Sequence, residues 1–348
     1  MKPGSIIFLI VSVFIIITGL VLCTIGGNIA KEQNIALFST DISVVNGDVI
    51  RSEILDDTAI NKVKMNLDHV NIHILHSETG NAYLELRNFQ VGTYDYSVQN
   101  KMLLIDNETS IFSLMRIAEG NFNFNGLRHY LTYRSGKNTQ KELYLYLTDD
   151  ASVNSFDITC KRGTVTLENL SFSTDYNVTL SAGDIVMNSI STKSIINLST
   201  NKGIITLNDV AFRQGNIVVG KGAADLYIHG IPFALEVLVE EGDIDCGYKA
   251  ANDYGLKFVL DANGTVTYNG TEQTDRPYIY SNSPTPYTQS LSSESGNINC
   301  AIGATGISGR FRQLSEALAK EAETEDLDAV ETVPPQSEAV DSHTTQNT

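Results

Sequence analysis

A glycine that returns about every twenty residues between Phe156 and Cys300 constrains this chain more than any other feature. It stands at Gly163, Gly183, Gly203, Gly222, Gly242, Gly264 and Gly296, with separations of 20, 20, 19, 20, 22 and 32 residues. Side-chain chemistry repeats around it while identity does not. Positions five and three before each glycine, and two and four after it, read Ile158, Cys160, Val165, Leu167, then Val178, Leu180, Ile185, Met187, then Leu198, Thr200, Ile205, Leu207. The next sets are Ile217, Val219, Ala224, Leu226 and Val237, Val239, Ile244, Cys246. The last two weaken to Val259, Asp261, Val266, Tyr268 and Leu291, Ser293, Ile298, Cys300. Apolar positions two apart mark a strand buried on one face. The glycine between two such strands suits a turn that needs φ > 0. A fixed period with one supersecondary unit per repeat predicts an all-β chain, a single-stranded β-solenoid of about seven coils.

Composition agrees with that class and excludes others. Of 348 residues, 19% are charged and 8% aromatic, and there is no Trp, which suits an extracytoplasmic β protein better than a helical enzyme. The formal net charge of −17 argues against nucleic acid as a partner. Four cysteines do not make a disulfide framework. Cys23 lies in an apolar N-terminal run, and the other three fall on inward positions of different coils. Coils stack about 4.8 Å apart. Counted by glycines, Cys246 and Cys300 are two coils apart, about 10 Å, which is too far for a disulfide. They are expected to serve as small buried hydrophobes.

Taken in order, residues 1–30 form an N-terminal anchor. Ser5 to Ile25 is almost unbroken apolar sequence, long enough to span a bilayer core of about 30 Å. The expectation is an uncleaved single span with the remainder outside the cell membrane. Residues 31–60 are a linker. Residues 61–150 are an N-terminal β region or cap, in which Val63 begins the strands. There Tyr96, Val98, Leu103 and Ile105 match the inward spacing, with Lys101 where the glycine would stand. This segment is interrupted at 109–141 by a basic and aromatic insertion. Residues 151–303 are the repeats, with a Pro-rich loop at 271–289 between the sixth and seventh coils. Residues 304–348 are a short capping helix, carrying Phe311, Leu314 and Leu318 at helical spacing, and an acidic tail with the composition of disorder.

The stretches VKMNLDHVNIHIL, ELYLYLTDDASVNSFDITCKRGTVTLENL, SAGDIVMNSI and EEGDIDCG, behind a membrane segment, carry a resemblance. From about Asn61 to Cys300 the chain resembles the bacterial putative-adhesin β-strand-repeat proteins, which include Lia-type cell-envelope stress proteins. Gly203 and Gly264 lack the Asp that follows Gly183 and Gly242. The resemblance implies a surface β-solenoid with an adhesion or envelope-stress role. It carries no catalytic residues.

Outside the inward rows, several groups are candidates for a site. A column six before each of the first five glycines reads Asp157, Asn177, Asn197, Asn216 and Glu236, and is expected to be a self-satisfied amide ladder. Asp184, Asp243 and Asp245 are read as turn chemistry. His69, His73 and His76 lack ligand spacing for a metal, and no catalytic motif or cofactor site is recognisable. The binding candidate is the insertion, through Arg116, Arg128, Tyr130, Tyr133, Arg134 and Lys137, because Arg and Tyr are frequent anchors at interfaces. The expected function is a non-enzymatic, membrane-anchored surface scaffold or binding module. Its partner would be a cell-wall polymer, anionic lipid or an envelope-stress membrane protein. A regulatory role in envelope stress is the second reading and a polysaccharide-lyase-like enzyme the third.

Overall fold

The computed structural model describes residues 49–51, 60–89, 95–106, 140–250, 255–283 and 287–307. The apolar run Ser5 to Ile25, most of the basic insertion and the helix expected after Ser308 lie outside them. All the regular structure described is β, and among the described residues no helix is long and apolar enough to cross a membrane.

The repeats wind as their periodicity requires. β7 (Ser155–Arg162) and β8 (Val165–Glu168) flank Gly163, and β9 (Asp175–Ala182) and β10 (Ile185–Asn188) flank Gly183. In β11 (Ile195–Val210), β12 (Gln214–Ile228) and β13 (Ala234–Tyr248) one strand runs through the glycine. All pair in parallel and in register, so Ile158 faces Val178, Val178 faces Leu198, Leu198 faces Ile217 and Ile217 faces Val237. A short third side closes these coils, bridged at Ser191 and Ala211. The inward rows named above are buried from Ile158 to Cys246 without exception, and their apolar members form one continuous core. The Thr and Ser hydroxyls of the inward rows bond to the glycine-corner carbonyls. Thr200 Oγ1 donates to the Gly183 carbonyl at 2.9 Å, and Ser293 Oγ to that of Gly242 at 2.7 Å.

The glycine column has a steric cause. Gly203 has φ +149°, and a Cβ there would lie 2.0 Å from the carbonyl oxygen of Gly183 beneath it. Gly296 would place a Cβ 1.8 Å from the Gly242 oxygen. Stacked backbones leave no room for a side chain at this corner.

The N-terminal region supplies a further coil and a cap. After β1 (Val49–Arg51), β2 (Lys62–His76) lies under the first repeat, pairing Met65 with Ile158 and Ile72 with Val165. β3 (Tyr83–Arg87), β4 (Asp95–Gln99), β5 (Met102–Asp106) and β6 (Lys141–Leu147) finish this end. β5 and β6 stack in parallel below the two halves of β2, and β4 and β3 then pair antiparallel outside them. Antiparallel closure ends the parallel stack. Leu103 and Ile105 are buried as expected, but Tyr96 and Val98 are exposed. The reason is a two-residue hairpin turn at Asn100 and Lys101, with φ of +52° and +62°, which turns β4 back along β5 where a coil would have continued.

The C-terminal end departs most from expectation. β14 (Leu256–Ala262), β15 (Val266–Tyr268), β16 (Thr271–Gln273), β17 (Tyr278–Ser281), β18 (Tyr287–Ser293) and β19 (Ile298–Ile302) do not stack in chain order. β18 and β19 pair with β13 on one side and with β14 and β15 on the other. The last coil is therefore inserted beneath the one that precedes it in sequence. Residues 249–255 give the chain enough length to skip one level. Cys246 and Cys300 are consequently direct partners in adjacent coils, not two coils apart. Both are buried free thiols, as is Cys160, whose burial pushes the thiol pKa up to about 11.

Residues 271–289 are likewise not a plain loop. A two-residue turn at Asn269 and Gly270 folds β16 back on β15, and β17 returns antiparallel on β14. The inward row before Gly264 also lies one residue away from its expected place. Leu260 pairs with Leu291 although it lies four before its glycine and Leu291 five, so the strand is one residue short. Phe258 and Leu260 are buried, and Asp261 is exposed. A one-residue slip moves every side chain of a strand to the other face.

The inward row generates a stability test. Ile185→Asp places a carboxylate in a fully apolar stack and should cost about 3 kcal/mol or more, whereas Thr166→Asp on the outer face should cost little. Thermal melts of the two variants should differ by many degrees, and equal melting temperatures would contradict the inward assignment.

Candidate functional site

Alternation in β6 buries Leu143, Leu145 and Leu147 and leaves Glu142, Tyr144 and Tyr146 on the outer face. Register then fixes their neighbours. β2 sets His73 beside Tyr144 on one flank, and β3 sets Glu85 beside Tyr144 and Tyr83 beside Tyr146 on the other. The rings form two stacked pairs. His73 and Tyr144 have centroids 4.4 Å apart and planes inclined by 12°, and Tyr83 and Tyr146 lie 4.1 Å apart. Tyr144 and Tyr146 stand 6.2 Å from each other. Arg87 spreads its guanidinium 4.3 Å from the Tyr144 ring centre and donates to Glu85 Oε1 at 2.7 Å. The Tyr144 hydroxyl donates to Glu142 Oε2 at 2.9 Å.

This cluster has a definite electrostatic character. The hydrogen bond to Glu85 raises the Arg87 guanidinium further above its usual range, so it stays charged. Burial, helped by the bond to Glu142, raises the Tyr144 phenol, so its hydroxyl stays a donor. Among the described residues one cation, Arg87, faces two carboxylates, Glu85 and Glu142, which makes the patch itself unsuited to polyanions. Stacked rings, phenol hydroxyls and a held guanidinium suit a polyhydroxylated, uncharged surface. Burial lowers His73, and its Nε2 is buried without a hydrogen-bond partner.

Other outward groups satisfy themselves. Asn177 Nδ2 donates to Asp157 Oδ1, and Asn197 Nδ2 to Asn177 Oδ1, both at 2.8 Å, as the ladder reading requires. Burial raises the Asp157 carboxyl, but hydrogen bonds from Lys62 and Asn177 outweigh it and hold the group below its usual range. Asp184 Oδ1 accepts the Ile204 N–H at 2.8 Å and Asp243 Oδ1 that of Asn297 at 2.7 Å, so these carboxylates carry the ladder past the glycine corner. At another corner Asp209 receives His229 Nδ1 at 2.7 Å and Lys249 Nζ at 3.1 Å.

The six insertion residues, Arg116, Arg128, Tyr130, Tyr133, Arg134 and Lys137, lie outside the described residues. His69, His73 and His76 do not converge. His73 stacks on Tyr144, and His76 Nδ1 sits 3.5 Å from Asp149. Reading the sequence for the leucines of ELYLYL overlooked what their alternation implies, two tyrosines on the opposite face.

A pH test follows from His73. Its ordinary value is 6.5 and burial lowers it in the folded state, so the unfolded chain takes up the proton first. The contribution to stability is full above 6.5 and is lost as pH falls through the window beneath it. His73→Phe, which keeps the stacking, should flatten the melting temperature between about pH 7 and pH 5. An unchanged pH profile would contradict this account.

Comparison with known proteins gives the family. No curated protein matches the sequence. Among solved structures, a putative adhesin from Bacteroides fragilis is 12% identical, with a TM-score of 0.39 over 74% of this chain and 96% of that one. A putative cell adhesion protein from Clostridium sporogenes is 14% identical, with a TM-score of 0.32 over 74% and 99%. A putative lipid binding protein from Parabacteroides distasonis is 10% identical, with a TM-score of 0.30 over 73% and 97%. Residues 26–301 match the family described as Toastrack DUF4097, and the chain belongs to that family.

Proposed function

We propose that this protein is a cell-surface binding module. One N-terminal span within residues 1–30 holds a solenoid of about seven coils outside the cell membrane, where it acts by recognition and performs no chemistry. The observation that carries this reading is the outer-face cluster of His73, Tyr83, Arg87, Tyr144 and Tyr146. It is raised on the paired strands β2, β6 and β3, and β6 follows the basic insertion directly in sequence. Hydroxyl-rich ligands bind such surfaces by packing on exposed ring edges and by hydrogen bonds to fixed polar groups. The neutral glycan strands of a cell-wall polymer present that chemistry, and an anchored solenoid stands within their reach. The insertion, through Arg128 and Arg134, would add contacts to the polymer's anionic groups.

The experiment is a pull-down of the full chain on purified cell wall. Joint replacement of Tyr144 and Tyr146 by Ala should abolish retention without changing the fold, as circular dichroism would report. Arg128→Ala with Arg134→Ala should weaken retention and reduce its salt dependence. Full retention by the tyrosine variant would contradict the assignment of the site.

A further inference from the structure

One corner of the solenoid differs from the rest of the surface. Backbone hydrogen bonds run straight up it, from Arg213 N–H to the Ser194 carbonyl at 3.0 Å and from Phe233 N–H to the Arg213 carbonyl at 2.8 Å. Tyr287 stands at the next level, because the inserted coil pairs Thr288 with Ala234. The Phe233 and Tyr287 rings lie 5.6 Å apart, and they remain 54% and 45% exposed. Lys193 and Arg213 are exposed on the same corner, and Ile195 beside them is 36% exposed. The carboxylate at that end, Asp175, is engaged by Ser194 Oγ and by the Ile195 N–H. The result is a narrow ridge on which two cations lead into two aromatic rings, on a protein whose net charge is −17.

We propose that this ridge docks on the anionic surface of the bilayer that holds the chain, an inference that rests on the anchored reading above. A cation pair alone would suit any polyanion, including an anionic wall polymer. Phe233 decides between them. A phenyl ring left half in water gains nothing from a hydrated polyanion, but it gains from an apolar phase beneath a charged headgroup layer. Tyr287 fits the same interface, where its ring sits at headgroup depth and its hydroxyl stays wet. Lys193 and Arg213 would meet the headgroup phosphates. Docked this way, the solenoid lies along the membrane.

The absence of Trp makes the test direct. Phe233→Trp introduces a single indole fluorophore on the ridge, and Thr166→Trp places one on a different outer face as control. The full chain is reconstituted into vesicles of phosphatidylcholine alone or mixed with phosphatidylglycerol, with or without brominated acyl chains. The expected result is blue-shifted emission from the Phe233→Trp protein in the anionic vesicles, quenched by the brominated chains. The shift should be lost when Lys193 and Arg213 are both changed to Glu, and the Thr166→Trp control should remain unquenched. An unquenched ridge indole in protein that floats with the vesicles would overturn the docking while leaving the anchor intact. Failure to float would overturn the anchored reading and the docking with it. Equal quenching in neutral and anionic vesicles would overturn the headgroup assignment. A shift of the ridge indole produced by wall polymer and not by vesicles would overturn the lipid assignment.

Discussion

The structure depends on one close approach, the backbone of each coil lying directly on the backbone beneath it at the glycine corner. The Gly183 oxygen occupies the space that a Cβ on Gly203 would need. With no side chain in the way, the backbone ladder keeps neighbouring coils in register at this corner, and that register places the side chains on both faces. It stacks Val178 on Ile158 inside and Asn177 on Asp157 outside, joining hydrophobic and polar columns to one backbone ladder. Each coil buries only a handful of side chains, so none could fold alone. The core exists only as a continuous column.

A parallel stack has two open ends, and both are closed in the same way. At the N-terminal end β4 and β3 pair antiparallel outside the last parallel strands, and at the C-terminal end β16 and β17 do so. Reversing direction leaves a short hairpin strand at the edge in place of a full coil, which limits addition of another chain. The same reversals shape the functional surfaces. Closure by β3 brings Tyr83, Glu85 and Arg87 up to Tyr144 and Tyr146, and insertion of the terminal coil brings Tyr287 to Phe233.

Much of the fold was legible in the sequence, because a period of twenty is a local signal repeated many times. The inward rows from Ile158 to Cys246 and the Asp157 column followed from counting alone. The outer aromatic cluster was legible too, since Leu143, Leu145 and Leu147 facing inward oblige Tyr144 and Tyr146 to face out. Asn269-Gly270 is a strong hairpin signal, yet the prolines that follow it drew the reading towards a loop. Pro277 sits just before β17, at an edge where no ladder hydrogen bond is needed from it. The order of the last two coils was not legible. Leu260 and Leu291 suit the same inward row, so either coil satisfies the core at either level. The register of the strand before Gly264 failed for a related reason. One missing residue shifts the count while both faces still carry some apolar side chains.

The most direct measurement of the account is a pair of distances between spin labels on outward positions of one column. Thr159, Thr179, Ser199, Val218, Leu238, Ser292 and Asp261 follow one another from coil to coil. At about 4.8 Å per step, labels at Thr159 and Ser292 should lie about 24 Å apart, and labels at Thr159 and Asp261 about 29 Å apart. The residue nearer in sequence should thus be the farther in space. Distances in the opposite order, or distances that do not grow by one coil spacing per step, would contradict the stacked winding and its inserted terminal coil.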